Sequence, residues 1–391
     1  MRAMNIFQRV FQCVVLVLGL ASFSSCSDNK TTESVFPEQA SFDCRNSTLA
    51  KRYIVGWEDG TYSVEHAESD TDLRENFISE KLDQIKHIDR DIFIQTQQFD
   101  SEVSNQAAPT NWGPEKIDAD LVWAQGFKGQ NIIVGVVDGF VDKSHVQLSA
   151  NVISADQYNQ EINNPQLNQH GTHVTGIIAA DPKSGPISGV APSVKVVSGQ
   201  FLGNEGGGSL GDGIIAMNAV AAKGARVINL SWGGAPCADN LRAAMYDLSN
   251  KGHLLITASG NEGVNSDYNA TYPAAFNLVT QINVAASTID DFLIYFSNRG
   301  TKTVQLAAPG VDIVSTVPGN SYKSMDGTSM AAPMVTGSAA LIWSAYPNAS
   351  AQQVRAALLS SVDVPANQLQ VSTRGRLNVK KSLDALKAML Q

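Results

Sequence analysis

Ser329 is the residue of this sequence with the clearest potential for nucleophilic chemistry. It lies in the run DGTSMAAP, residues 326–333, and opens an Ala-rich stretch that predicts a helix from Ser329 to about Trp343. A serine hydroxyl is a weak nucleophile by itself, so it needs a nearby base, an orienting carboxylate and donors for the oxyanion. The sequence upstream of Ser329 contains candidates for all three.

His170 is the candidate base, and Asp138 is the candidate carboxylate. His170 begins the run HGTHVTGI, whose small residues favour an imidazole at a helix start that faces a cleft. Asp138 follows the apolar run NIIVGVV, residues 131–137, which predicts a buried strand. The C-terminal tip of such a strand is where an open α/β sheet presents its functional groups.

Each of these residues also has a structural interpretation when it is taken alone. An Asp after a strand is commonly a turn or helix cap, and Ser329 has the position of a helix N-cap. His170 and His173, three residues apart, could be metal ligands, but no Glu accompanies them in a zinc-protease arrangement. We expect His173 to be a packing residue. The joint occurrence of Asp138, His170 and Ser329 favours catalysis.

Together these motifs resemble the subtilisin-like serine proteases, in the order Asp138, His170, Ser329. Five further runs support the resemblance, which extends from about Trp112 to Leu383: GVAP at 189–192, VINLSWGG at 227–234, ASGNEG at 258–263, YPA at 272–274 and APG at 308–310. The resemblance implies an endopeptidase that works through an acyl-enzyme. It also implies that Asn261 and the backbone N–H of Ser329 hold the oxyanion.

The sequence departs from the family directly after the aspartate. The family usually has a small hydroxyl residue followed by Gly, whereas Asp138 is followed here by Gly139 and Phe140. Glycine has no hydroxyl to donate, so we expect Asp138 to lack that hydrogen bond.

The resemblance also implies a substrate cleft with two edges, between which the substrate lies as an added strand. Thr271 falls at the floor of the main specificity pocket, where a side chain larger than Gly disfavours very large P1 groups. A flexible glycine loop is the alternative interpretation of the first edge. The two edges are formed by Gly206, Gly207 and Gly208, and by Ser231, Trp232 and Gly233.

Residues 1–25 predict an export signal, because Arg2 and Arg9 precede an apolar stretch at 10–23 that is too short to span a bilayer comfortably. The following Ser-Ser-Cys resembles a bacterial lipoprotein signal, in which Cys26 is acylated and 26–50 form a tether. This predicts a protein of the bacterial cell envelope, held to the membrane by its lipid, with release of the mature catalytic domain outside the cell. An ordinary signal peptide cut near the same place is the alternative.

Residues 51–106 predict a small α+β unit. Arg52–Trp57 indicates a strand, Leu73–Ile88 an amphipathic helix and Asp91–Thr96 another strand. The unit resembles a shortened inhibitory propeptide of the subtilisin family, whose tail occupies the active-site cleft; a permanent adaptor domain is the alternative. We expect the scissile bond in the polar linker Ser101–Pro109, before a catalytic domain at 107–391.

The remaining sequence alternates strand and helix patterns, which predicts an α/β fold with a mostly parallel sheet flanked by helices in three layers. The predicted strands end near the candidate site residues. The strands are at 194–197, 226–231 and 254–257, and the helices at 210–223 and 381–390.

The net charge and one loop bear on which partners and cofactors to expect. A formal net charge of −9 argues against nucleic acid, which requires a basic face. We expect no cofactor, and calcium is disfavoured because the loop 181–185 places Lys183 where related enzymes offer a side-chain oxygen. Of four cysteines, Cys44 and Cys237 lie beyond the signal and the lipidation position, and we expect two free thiols.

Protein or peptide substrates are the expected partners, together with the chain's own propeptide. Two alternatives to a general endopeptidase stay open at this point: a maturase dedicated to one partner protein, and a catalytically weak binding protein on the same scaffold.

Overall fold

The computed structural model describes residues 48–96, 111–159, 164, 167–234 and 237–391. The predicted signal, most of the tether and the linker Ser101–Pro109 lie outside the described residues. Within these ranges, no helix has the length and apolar character needed to cross a membrane.

A seven-stranded sheet forms the centre of the protein, and every pair of neighbours in it is parallel. Its strands are rich in Val, Ile and Ala, as expected where both faces of a parallel sheet are covered. In spatial order they are β12 (Leu306–Pro309), β11 (Gln281–Ser287), β10 (Leu254–Ala258), β8 (Val227–Leu230), β4 (Ile133–Asp138), β6 (Lys195–Gln200) and β5 (Val152–Gln157).

Helices cover both faces of this sheet. Because successive side chains of a strand point to opposite faces, Val136 joins one hydrophobic cluster and Val137 the other. One face is covered by α5 (Leu210–Ala222) and α6 (Asp239–Asn250). The other is covered by α3 (Ala119–Trp123), α4 (His170–Ala179), α7 (Thr328–Ala345), α8 (Ala351–Ser360) and α9 (Val379–Leu390), with α2 (Trp112–Lys116) leading into α3. The predicted three-layer α/β fold is confirmed.

Residues 48–96 form a unit that packs on the α5–α6 face. Its strands β1 (Thr48–Trp57), β2 (Tyr62–His66) and β3 (Ile85–Thr96) pair antiparallel in the order β2–β1–β3. Ile54, Ile92 and Ile94 are buried in the same cluster as the side chains of α5 and α6.

The helix predicted over Leu73–Ile88 is wrong in extent. An α-helix, α1, spans only Asp70–Leu73 and continues as a π-helix over Arg74–Ile78. Only the last four residues of the predicted helix, Ile85–Ile88, are instead the start of β3, where Ile85 pairs with Trp57 and Ile88 with Val55. Pairing with β1 buries the Ile85 side chain, so tertiary contacts overrode the helical spacing of the apolar residues.

Four short strands lie outside the central sheet and the β1–β3 unit. β7 (Gly207–Ser209) and β9 (Trp232–Gly233) both pair with β3, and β13 (Ile313–Val317) forms an antiparallel hairpin with β14 (Ser321–Met325). The hairpin lies against α4, where Ser315 and Thr316 donate hydrogen bonds to carbonyls of the first helical turn.

Candidate active site

Asp138 and His170 form the best-defined polar pair of the candidate site. Asp138 is the last residue of β4 and His170 the first of α4, and the two side chains are 0% and 2% exposed. His170 Nδ1 lies 2.7 Å from Asp138 Oδ1, which also accepts a 2.7 Å bond from the Gly139 N–H. A proton on Nδ1 satisfies this contact, and it leaves Nε2 as the basic nitrogen.

Asp138 keeps one oxygen without support. Its Oδ2 is buried and has no hydrogen-bond partner among the described residues. The absent hydroxyl after Asp138 is therefore not replaced by another side-chain donor to Oδ2.

Ser329 lies at the start of α7, directly after Thr328, and is buried. Its Oγ donates to the Ser231 carbonyl at 3.0 Å, and the Ser231 hydroxyl donates to the Ser329 carbonyl at 2.9 Å. His170 Nε2 has no hydrogen-bond partner within the described part of the chain. The structure thus places Ser329 on the Ser231 edge, with its hydroxyl bonded to that edge and not to His170.

Asn261 follows β10 and reaches the amino end of α7. Its Oδ1 accepts the Thr328 N–H at 3.0 Å and the Thr328 hydroxyl at 2.9 Å. Both bonds fall on the amide oxygen, so the orientation of the amide is set and Nδ2 remains as its donor group. Thr328 is a site residue that sequence reasoning missed; its signal is a hydroxyl residue directly before Ser329.

The two predicted cleft edges hold a strand of the chain itself. Antiparallel pairing joins Ile94 to Gly208 in β7 and Thr96 to Trp232 in β9, while Gln95 pairs with both edges. A Cβ at Gly207 would lie 2.1 Å from the tip of the Phe93 ring, so a larger residue there would require the exposed Phe93 side chain to shift. The structure therefore brings four of the six predicted edge residues together around one added strand, while Gly206 and Ser231 lie directly before β7 and β9 and do not pair with it.

Thr271 is half-buried and precedes the cis peptide bond Tyr272–Pro273. The carbonyl of Tyr272 is the nearest atom to the open side of Gly233, 3.6 Å from the position that a Cβ would take there. This contact sets the segment that carries Thr271 beside the β9 edge.

Carboxylates of β3 fasten the N-terminal unit to the helices beneath it. Asp91 is fully buried and accepts bonds from Arg52 Nε at 3.0 Å, the Ser209 hydroxyl at 2.6 Å and the Gly211 N–H in the first turn of α5 at 3.0 Å. Asp89 accepts the first-turn Asn240 N–H of α6 at 2.7 Å. Anions are stabilised at helix N-termini, so β3 is held by two such contacts.

Burial shifts the pKa values of two side chains, one in β3 and one in α4. It raises the pKa of Asp89 to about 6 and lowers the pKa of His173 to about 3. His173 Nε2 lies 2.9 Å from the Lys323 carbonyl of β14. Packing under the β13–β14 hairpin is therefore the environment of His173, and no group of three or more potential metal-ligating side chains occurs in the described ranges.

The donor set of the loop at 181–187 does not suit a cation. The carbonyls of Asp181 and Ile187 both accept from the buried Gln147 Nε2, at 2.8 and 2.7 Å. The Asp181 carboxylate accepts the Lys183 N–H at 3.0 Å. Calcium needs oxygen ligands, whereas here an amide donor occupies the position between the carbonyls. These residues do not fit the ion.

Cys237 forms a disulfide, so the expectation of a free thiol there is wrong. Its partner lies outside the described residues, and so do the other cysteines of the chain, Cys13, Cys26 and Cys44. The spacing of cysteines along a sequence does not reveal which of them meet in space, which is why the prediction failed.

Comparison with known proteins gives one consistent result. The profile of the subtilase family matches residues 129–382. Subtilisin DY of Bacillus licheniformis is 37% identical over 255 residues, which cover 64% of this chain and 90% of that protein. The major intracellular serine protease of Bacillus subtilis (strain 168) is 37% identical over 238 residues, 59% of this chain and 74% of its own length.

Subtilisin E of Bacillus subtilis (strain 168) is 30% identical over 351 residues, 85% of this chain and 91% of that protein. This similarity covers more of the chain than the family profile does, so it extends into residues that precede 129.

Proposed function

This chain belongs to the subtilase family and is a subtilisin-like serine endopeptidase, and we propose that Asp138, His170 and Ser329 carry its reaction. The observation that supports this assignment most is the 2.7 Å contact between His170 Nδ1 and Asp138 Oδ1. It joins two buried residues that a strand end and a helix start bring together.

The proposed reaction begins when Ser329 Oγ leaves the Ser231 carbonyl and gives its proton to His170 Nε2. Catalytic hydrogen bonds of this kind often tighten only when substrate is bound. Oγ attacks the scissile carbonyl carbon, and Asp138 holds the imidazole in the required tautomer and stabilises its charged form. His170 then protonates the leaving amine. Water attacks the acyl-enzyme by the same steps in reverse order.

Asn261 and the Ser329 N–H are the proposed donors to the oxyanion. The orientation of the Asn261 amide by Thr328 supports this role, because it presents Nδ2 without a rearrangement during the reaction.

We propose that substrate binds where β3 lies, as a strand added between β7 and β9, with its P1 side chain toward Thr271. Hydrolysis of internally quenched peptides that differ only at P1 tests the position of the P1 side chain. Small P1 residues should be cleaved faster than Phe or Tyr. Thr271→Gly should raise kcat/KM for the large residues by about tenfold and leave that for Ala nearly unchanged.

An unaltered ratio of large to small P1 in the Thr271→Gly enzyme would remove Thr271 from the pocket. If no peptide is cleaved and no fluorophosphonate is incorporated, the protein is a binding protein on this scaffold. Cleavage of a single sequence with strict dependence on several positions would instead indicate a dedicated maturase.

We propose that residues 51–106 are an inhibitory propeptide of the enzyme at 107–391. Occupation of both cleft edges by β3 and the caps from Asp89 and Asp91 support this proposal. We also propose that Cys26 carries lipid and holds the precursor in the cell envelope, with the soluble catalytic domain released after processing.

Maturation should therefore be intramolecular, because the chain's own linker reaches Ser329 at high effective concentration. Cleavage within Ser101–Pro109 should proceed at a rate that is independent of protein concentration. Ser329→Ala should accumulate as an uncleaved precursor in the membrane fraction. Intact-mass measurement checks both forms, and an active enzyme that keeps 52–106 in peptide linkage would show a permanent domain.

An intact disulfide at Cys237 would prevent release of the catalytic domain after cleavage of the linker. Every other cysteine precedes Thr48 in the sequence, so an intrachain bond would keep the cleaved fragments joined. After cleavage of the linker, we expect a single covalent species without reductant and two separate fragments with reductant. Cys237→Ser is the matched control and should separate without reductant.

We propose that the loop at 181–187 needs no calcium, because the Gln147 amide holds its carbonyls. EDTA should leave the melting temperature unchanged. Gln147→Ala should lower the free energy of unfolding by about 2 kcal/mol, since two buried carbonyls lose their donor. Gln125, which is exposed and donates to the Leu121 carbonyl, is the control, and Gln125→Ala should change stability by less than about 0.5 kcal/mol. A large fall in melting temperature with EDTA, restored by calcium, would contradict the proposal.

A further inference from the structure

Asn168 joins the start of the catalytic-histidine helix to one edge of the cleft. It lies two residues before His170 and is 2% exposed. Its Nδ2 donates to the carbonyls of Leu202 and Gly203 at 2.7 and 2.5 Å. Gly203 in turn donates its N–H to the Gly207 carbonyl of β7 at 2.6 Å. A single side chain thus connects α4 to the strand that pairs with β3.

The other side of the Asn168 amide lies against Gly139. A Cβ at Gly139 would be 2.3 Å from Asn168 Oδ1 and 2.5 Å from Nδ2. Gly139 is not among the glycines with positive φ, so its backbone conformation would accept other residues. The amide of Asn168 is therefore what requires glycine at this position.

This contact bears on the position directly after Asp138, where the chain departs from the family pattern. The space that a hydroxyl side chain at 139 would fill is taken by Asn168. The same Gly139 peptide unit donates to Asp138 Oδ1 at 2.7 Å. Asn168 consequently packs on the backbone that supports Asp138 while it holds the β7 edge.

The arrangement leaves one buried polar atom of Asn168 without a hydrogen bond. Asn168 Oδ1 is buried without a hydrogen-bond partner among the described residues, and a buried unsatisfied acceptor is unfavourable. The favourable polar contacts of Asn168 are the two bonds of its Nδ2, and these join the start of α4 to the β7 edge.

We propose that Asn168 is a positioning residue that holds the β7 edge at a fixed position relative to His170, and that Gly139 provides the space for the Asn168 amide. This inference rests on the proposed triad. Asn168 touches neither substrate nor reacting atoms in this account, so its loss should act on the binding of an extended peptide more than on the nucleophile.

Three variants test the proposal: Asn168→Ala, Gly139→Ser and the double variant. Asn168→Ala removes two donors from the base of β7, so KM for a peptide that spans both edges should rise about tenfold. The rate of labelling by a small fluorophosphonate, which needs no contact with β7, should change much less. Gly139→Ser should impair both, because the added hydroxymethyl group would displace Asn168 toward the cleft.

The double variant should lose less activity than the product of the two single losses, because the added hydroxymethyl group then has room. Asn159 is the matched control: its Nδ2 donates to the neighbouring Phe201 carbonyl at 3.0 Å, and a Cβ at Gly139 would have no atom of Asn159 among its nearest neighbours. Asn159→Ala should show no coupling to Gly139→Ser. Melting temperatures of all variants separate these effects from unfolding.

The positioning role would be overturned if the activity loss of the double variant equals the product of the two single losses, or if KM is unchanged in Asn168→Ala. Either result would leave the triad intact. Failure of the unaltered protein to react with fluorophosphonate would overturn the proposed triad and the inference with it. The two failures are therefore distinguishable.

Discussion

Ser329→Ala should lower kcat for peptide hydrolysis by about 10⁶-fold, the size known for the corresponding serine of subtilisin. The loss is this large because the proposed base and carboxylate act only through the nucleophile. His170 and Asp138 would keep their 2.7 Å contact in the variant, since Ser329 does not take part in it. Stability should change little.

This measurement needs a processed form of the inactive variant, because Ser329→Ala should not cleave its own linker. A recognition site for an added protease, placed within Ser101–Pro109, gives both proteins the same processing. Reductant then breaks the Cys237 disulfide in both, so that the N-terminal fragment can be removed from each before the assay. Ser338 lies on the same helix and donates its hydroxyl to the Met334 carbonyl, so Ser338→Ala is a matched serine control that should retain activity. Undiminished hydrolysis by Ser329→Ala would place the nucleophile elsewhere.

Asn261→Ala should lower kcat by about 10²–10³-fold, or about 2.7–4 kcal/mol, a size taken from the equivalent subtilisin asparagine. The donor acts on charge that develops during the reaction, so KM should change little. Steady-state kinetics on the processed enzyme measure both constants.

Thr328→Val is a milder change that weakens the positioning of the Asn261 amide without removing it. It removes the hydroxyl that donates to Asn261 Oδ1 but keeps the Thr328 N–H bond to the same atom. The kcat should fall by less than in Asn261→Ala. If Asn261→Ala raises KM without lowering kcat, Asn261 binds substrate and does not stabilise the oxyanion.

The parts of this protein that were predictable are those set by local pattern. The apolar run before Asp138 and the small residues after His170 led to β4 and α4, and the structure has both. The nearness of Asp138 and His170 could be predicted because parallel strands present functional residues at their C-terminal ends. The assignment to a family came from several collinear motifs and not from any one residue.

The parts that were missed depend on contacts between distant segments. The helix predicted over Leu73–Ile88 gave way to β3 because β1 offered strand pairing and burial. The sequence gives no sign that Cys237 is bonded, because its disulfide depends on a residue remote in sequence.

The sequence shows that Gly139 departs from the family pattern. The side chain that leaves no room at this position is Asn168, 29 residues later. No periodicity or motif of the sequence connects two such residues. The same holds for Gln147, whose amide reaches a loop that begins at Asp181.

The most direct test of the account is the mass and position of a fluorophosphonate adduct on the processed enzyme. We predict one adduct per chain, located at Ser329 by peptide mapping, and none in His170→Ala over the same time, because Ser329 would lack its base. An adduct at another residue, or equal labelling of His170→Ala and the unaltered enzyme, would contradict the proposed triad.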